Sequence, residues 1–270
     1  MKDLLKNLLV PIAKPLTSKI HRYKDIHHGE SCYIFLNGIS LKWFDLELLA
    51  DKTAIGCAFV PFHKDFNKLN IKYSLLAEPW WFYPIQRTTS PPKKIIRNHI
   101  QVLYREIIKE YPEKEFFLNL SNYPVIRSTN ITYLFNDIYD KRLSADFITH
   151  RINAFHGSLR TSILLAIYMG FEHCYLVGGD YTHLPSRAHH FYEKGQGVLD
   201  PHENYSKEFF EIAKEFINIT TITLDGTSDV LNAITYKDHT GHDPVFRENT
   251  ELLDERYLNV LAKWPGYSIY

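Results

Sequence analysis

Cysteine is scarce in this sequence. Cys32, Cys57 and Cys174 are the only three in 270 residues, and each lies within an apolar run. Three scattered thiols supply neither a disulfide framework nor a zinc-binding quartet, so they are expected to be buried and reduced in a cytoplasmic protein. No apolar run approaches the ~20 residues needed to span a bilayer. The apolar pieces at the N-terminus are broken by Lys6, Pro11, Lys14 and Pro15, with no small-residue cleavage site after them, which argues against a secretory signal. An excess of one charge is missing too: 31 Lys and Arg balance 31 Asp and Glu. A nucleic-acid partner therefore has no global field to recognise, and none is expected. Internal repeats, low-complexity tracts and closely spaced metal-ligand sets of the HExxH kind are also absent. His189 and His190 are adjacent and cannot easily both point inward, so no metal is expected.

What remains is a globular composition, 45% apolar and 23% charged, long enough for one large domain with a small appendage. Tyr (18) and His (14) are abundant, and both combine apolar bulk with a polar tip that suits pockets for sugars and phosphates.

Residues 1–28 stand apart from 29–270. Leu4, Leu5, Leu8, Leu9 and Ile12 form an apolar stripe flanked by Lys2, Lys6, Lys14, Lys19, Arg22 and Lys24. Such a basic amphipathic helix can lie on an anionic membrane surface as a peripheral contact, or it can cap the domain. From Ser31 onward, strands alternate with helices. Strands are predicted at 31–36, 53–60, 73–78, 115–120, 173–180 and 219–224, and helices near 42–50, 91–111, 158–169, 205–216 and 249–262. Strands apolar on both faces and separated by helices predict a Rossmann-like, mainly parallel α/β sheet with helices on both faces. Ligands of such sheets bind at the carboxyl ends of the strands, near the point where strand order reverses. A polar, His-rich stretch over 179–204 lacks any periodic pattern, as functional loops do.

That rule directs attention to particular residues. Asn37-Gly38 follows the first strand, and Ser40 can cap the helix predicted after it, so backbone amides there could face a phosphate. Glu78 ends the third strand. His156, Gly157 and Ser158 sit where a helix begins, a second natural anion site. Gly178 and Asp180 end the most apolar strand, with Tyr181, His189, His190 and Tyr192 downstream. Asp180 could hold a ribose or sugar hydroxyl, or tie down its own loop. His202 closes the long loop ahead of a helix, where an imidazole could act as a general base on an acceptor hydroxyl.

Together these segments resemble the bacterial sialyltransferase family that builds lipooligosaccharide, and the central domain of motility-associated flagellin glycosyltransferases. The residues that carry the resemblance are Asn37-Gly38-Ile39-Ser40-Leu41, Gly157-Ser158-Leu159, Ala166 to Gly170, and Tyr175-Leu176-Val177-Gly178-Gly179-Asp180. The resemblance implies a metal-independent glycosyltransferase taking a nonulosonic acid from a CMP-activated donor. The acceptor would be a glycan or lipid-linked glycan in bacterial surface polysaccharide assembly. Asn37, Gly38 and Ser158 would contact the nucleotide, and His202 would deprotonate the acceptor. The family pattern is broken at Ile39 (Pro in the family), Ala58 and Glu78 (both Asn), Phe155 (Arg) and Thr182 (Tyr). The archaeal-type 6-hydroxymethylpterin diphosphokinases share the Asn-Gly-x-Ser-Leu turn and the Gly-x-Asp strand end. They imply the alternative of a Mg²⁺-dependent pyrophosphokinase using Asp180, Glu78 and Asp200. A non-catalytic nucleotide-sugar-binding module is the third reading.

Overall fold

The computed structural model describes residues 13, 15–79, 81–83, 91–134, 157–202, 207–264 and 266–270, with the backbone only over 91–98. Eight strands form a single sheet: β1 (Ser31–Phe35), β2 (Thr53–Cys57), β3 (Ile71–Leu76), β4 (Glu115–Asn119), β5 (Ile131–Leu134), β6 (His173–Val177), β9 (Asn218–Thr223) and β10 (Asn232–Thr235). Every neighbouring pair in it is parallel, in the order β10-β9-β6-β1-β2-β3-β4-β5. The chain winds outward from β1 to β5, then returns through β6 to the other side of β1. Strand order thus reverses between β1 and β6, which opens a crevice at their carboxyl ends.

Alternating side chains along the strands enter two separate cores. Tyr33, Phe35, Phe116 and Leu118 pack with Tyr104 and Ile107 of α1 (Pro91–Glu110) and with Tyr257 and Leu261 of α6 (Glu255–Leu261). Cys32, Ile34, Ile55, Leu75 and Phe117 pack against Ile163–Leu165 of α2 (Ser158–Tyr168) and Phe209 and Phe210 of α3 (Lys207–Ala213). The three thiols are buried, as expected, and burial pushes that of Cys57 up to about 12.

Several elements differ from the sequence reading. The helix predicted near 42–50 is two 3-10 turns, Ile39–Trp43 and Leu46–Leu49. Leu41, Phe44, Leu46 and Leu49 are all buried, and their pairwise spacing of three matches a 3-10 turn. The helix predicted over 249–262 breaks into α5 (Asn249–Leu252) and α6, because Leu253 turns extended and bridges His63. Inside the stretch read as aperiodic, β7 (Ser186–Ala188) pairs antiparallel with β8 (Val198–Asp200). Strands β5 and β10, the two sheet edges, and the short helix α4 (Tyr236–Thr240) have no counterpart among the predicted elements.

Residues 1–12 and 14, with the apolar stripe, lie outside the described residues. Residues 15–28 pack at the amino ends of the strands. Lys19 Nζ donates to Glu115 Oε1 (2.5 Å) and to the carbonyl of Thr129 (2.6 Å). His27 meets the Tyr73 hydroxyl through Nε2 (2.7 Å) and stacks on Phe171. Among the described residues no helix is long and apolar enough to cross a membrane.

Candidate active site at the carboxyl edge

The turn after β1 and the turn after β6 are locked together. Gly38 N donates to the Gly178 carbonyl (3.0 Å), and Ser40 N donates to Asp180 Oδ2 (2.8 Å). A Cβ on Gly38 would lie 2.2 Å from that carbonyl and 2.5 Å from Asp180 Oδ2, so only glycine fits. Gly178 adopts φ +77°, and a Cβ there would press on Leu36 and Leu41. On the other side, Asn37 Oδ1 accepts from Phe59 N (3.2 Å). It thereby pins the turn after β2, where Ala58 is left-handed at φ +46°. This is one of the positions where the resembled family carries Asn, a residue that tolerates that conformation better than Ala. Asn37, Gly38, Ser40, Gly178 and Asp180 therefore converge at the reversal point.

A cleft of about 280 Å³ opens beside this lock. Ser40 and Asp180 line its floor; His183, Arg187, Thr223, Asp225 and Thr227 supply further polar walls, and Leu184 and Leu199 an apolar lip. Asp180 is buried, and desolvation raises its pKa above the ordinary value; Ser40, His183 and Arg187 oppose the shift. Burial also acts to raise Asp225, but the Thr227 hydroxyl (2.8 Å) and amide (3.0 Å), with the charge of His183, hold it below the ordinary value. His183 Nδ1 and Ser40 Oγ are buried and make no hydrogen bond of good geometry. One Asp180 oxygen ties the loops, and the residue also lines the cleft.

The His-rich stretch folds back onto the Asn37-Gly38 turn. His190 forms an isolated antiparallel bridge with Gly38, and Phe191 N donates to the Asn37 carbonyl (3.1 Å). The His190 ring stacks on buried Tyr192 (4.9 Å between centroids). His189 is left-handed (φ +83°), with Nδ1 at 3.9 Å from Glu193 Oε2. The Tyr181 hydroxyl is raised in pKa, by burial first and then by Asp180. Beneath this stretch Lys42, fully buried, donates to the carbonyls of Glu193 (2.7 Å) and Gly195 (2.6 Å) and pairs with Glu248 (2.9 Å). That cation clamps the middle of the loop to the C-terminal segment.

The remaining candidates are more dispersed. Glu78 follows β3, where its charge acts on Cys57, Tyr104 and Tyr267; Tyr267 in turn packs on His190 and Tyr192. Gly157 is the residue before α2 and Ser158 its first helical residue, and no side chain caps this helix. Ser158 is therefore not the cap, because its backbone is already helical; the amides of the first turn have no side-chain acceptor from Gly157. His156 lies outside the described residues. His202 is 85% exposed, and its Nδ1 contacts Asp200 Oδ1 at 2.6 Å. A carboxylate only accepts, so the Nδ1 that faces it carries a proton.

Arg187, Thr223 and Asp225 line the cleft and Glu193 adjoins His190, and the sequence alone does not single out these four. Asp225-Gly226 is legible in principle, since it ends a strand just as Asn37-Gly38 does. Among the described residues no cluster of His, Cys, Asp and Glu could hold a metal ion.

Comparison with solved structures finds similarity to the sialyltransferase CstII from Campylobacter jejuni in complex with a substrate analogue, cytidine-5'-monophosphate. Identity is 17% over 87% of this chain and 98% of that one, with a TM-score of 0.43. A point mutant of the alpha-2,3/8-sialyltransferase CstII is similar at 15% identity, over 84% and 98% of the two chains, with a TM-score of 0.40. No protein-family model matches the chain, and no curated protein matches it in sequence.

Proposed function

We propose that this protein is a glycosyltransferase that draws a nonulosonic acid from a CMP-activated donor bound across the β1/β6 reversal point. The observation that carries the reading is the convergence of two sequence motifs, Asn37-Gly38-Ile39-Ser40 and Gly178-Gly179-Asp180, on one edge beside a cleft with the right chemistry. Arg187 and His183 suit the carboxylate of an acidic sugar, while Asp180, Asp225, Thr223 and Thr227 suit its hydroxyls. The phosphate would lie over the Asn37-Gly38 turn. The nucleotide would extend toward Glu78 and the N-terminus of α2, whose amides favour an anion.

The acceptor, a glycan or lipid-linked glycan, would enter past the apolar lip. Its hydroxyl oxygen attacks the anomeric carbon as the bond to phosphate breaks. The hydroxyl proton passes to Nε2 of His202, which Asp200 orients. The test is incubation with CMP-activated nonulosonic acids and lactose- or lipooligosaccharide-type acceptors, tracking released CMP and product mass. Transfer without added metal is the expected result. Pyrophosphate transfer from ATP with Mg²⁺, with no turnover of any CMP-sugar, would replace this reading with the pyrophosphokinase.

A further inference from the structure

One arrangement at the edge is more tightly built than binding alone requires. Glu193 is 3% exposed, yet both its oxygens are engaged. Oε1 accepts from His190 N (3.0 Å) and lies 2.8 Å from His190 Nδ1, and Oε2 accepts from Ser268 N (3.1 Å). Because the carboxylate can only accept, Nδ1 must carry a proton. The ring's rotation is then fixed by Glu193 on one edge, by Tyr192 stacked at 7° to its plane, and by Tyr267 against it at 71°. Its other nitrogen, Nε2, makes no hydrogen bond among the described residues. The backbone bridge to Gly38 holds this imidazole at the Asn37-Gly38 turn. Burial acts to raise the Glu193 carboxyl, but His190, the Ser268 amide and His189 hold it below the ordinary value, so the group stays anionic. His189, with its Nδ1 at 3.9 Å, lacks this arrangement.

We propose that His190, oriented by Glu193, donates the proton that meets the departing phosphate of the donor. The inference rests on the glycosyltransferase reading above. As the bond from the anomeric carbon to the phosphate oxygen breaks, its electron pair stays on that oxygen, and the Nε2 proton of His190 moves onto it. The acceptor oxygen bonds to the anomeric carbon and loses its proton to His202. One histidine gains a proton and the other loses one, so charge balances across the step, and solvent resets both. The two histidines would thus divide the labour: the exposed one serves the acceptor at the open rim, and the partly buried one serves the phosphate at the turn.

The experiment compares wild type with His190→Ala, His190→Gln and Glu193→Gln, using CMP titration for binding and a CMP-activated nonulosonic acid for turnover. Loss of a positioned proton donor lowers turnover about 10²–10⁴-fold. For both His190 variants the expected result is a kcat loss in that range, CMP affinity within a few-fold of wild type, and partial recovery of His190→Ala by added imidazole. Glu193→Gln keeps the imidazole and removes its anchor, so kcat falls by a smaller factor while acceptor KM holds. His190→Gln retains a flat polar group on Tyr192, so it reports on chemistry even if the Ala variant folds poorly. Active wild type with near-normal His190→Gln turnover overturns the dyad alone. Parallel losses of CMP affinity and kcat in every variant, with no imidazole rescue, also overturn it by assigning the pair to binding. A wild-type protein that turns over no nucleotide sugar overturns the functional reading itself.

Discussion

The two edges of the sheet use the same kinds of residue to opposite ends. At the amino edge, Lys19, Glu115 and Thr132 satisfy one another, with Thr132 Oγ1 donating to Glu115 Oε1 at 2.6 Å, and His27 is held between Tyr73 and Glu30. At the carboxyl edge, Ser40 Oγ and His183 Nδ1 are buried beside the cleft with no hydrogen bond of good geometry, and Asp180 is desolvated to the point of a raised pKa. Buried polar groups left unpaired cost about 1–3 kcal/mol each, a cost that a ligand bound in the cleft would relieve. The contrast sets an edge whose polar groups satisfy one another against the edge proposed to receive the donor, and substitutions should separate the two.

The largest effect is expected at the rim. His202→Ala removes the proposed base and should cut turnover about 10²–10⁴-fold, or about 3–5 kcal/mol of activation free energy. With the side chain 85% exposed, its melting temperature should hold. Steady-state kinetics beside a thermal melt checks both; full activity would break the assignment. Gly38→Ala comes next, because its Cβ would force the β1 and β6 turns apart. Overpacking of this kind costs about 1–3 kcal/mol or more, and here nucleotide binding should fall with stability. Lys19→Met is the matched control at the amino edge. It removes a charge-assisted contact worth about 1–3 kcal/mol before solvent screening, while nucleotide affinity should remain that of wild type. A change in affinity would show that the edges are coupled.

How much of the fold and site is legible in the sequence depends on how local each signal is. The turn residues Asn37, Gly38, Gly178 and Asp180 are legible because a glycine at a strand end is readable within a few residues, and the parallel sheet because its strands are apolar on both faces. Strands β5 and β10 escape for the opposite reason. They are four-residue edge strands paired on one side only, so ITYL and NAIT carry too short a pattern. The cleft walls escape because Arg187 and Asp225 are brought together by the β7–β8 hairpin and the turn after β9, a contact between distant segments that no local pattern reveals. Glu193 is hidden behind the histidines it orients.

The smallest effect sharpens the comparison from the pH side. The raised pKa of Asp180 means that the folded protein holds a proton the unfolded chain releases. Stability from this group therefore falls as pH rises from the unfolded carboxyl value through the folded one. Asp180→Asn keeps an acceptor for Ser40 N and removes that decline, so in chemical denaturation across the acid range the variant should gain stability relative to wild type as pH rises. At neutral pH the variant should be as stable or more so, yet weaker for the donor, as expected where a site carries strain. A variant that loses stability relative to wild type as pH rises would contradict the sign.

The central claim is that the carboxyl edge at the β1/β6 reversal is a cytidine-nucleotide site. Its most direct measurement is a thermal-shift titration of the full chain with CMP in the presence of EDTA, beside ATP with Mg²⁺. A ligand that binds only the folded state raises stability by about 2.7 kcal/mol at a hundred times its Kd. The account predicts a saturable rise in melting temperature with CMP, undiminished by EDTA and lost in Gly38→Ala. A rise with ATP and Mg²⁺ and none with CMP would contradict it.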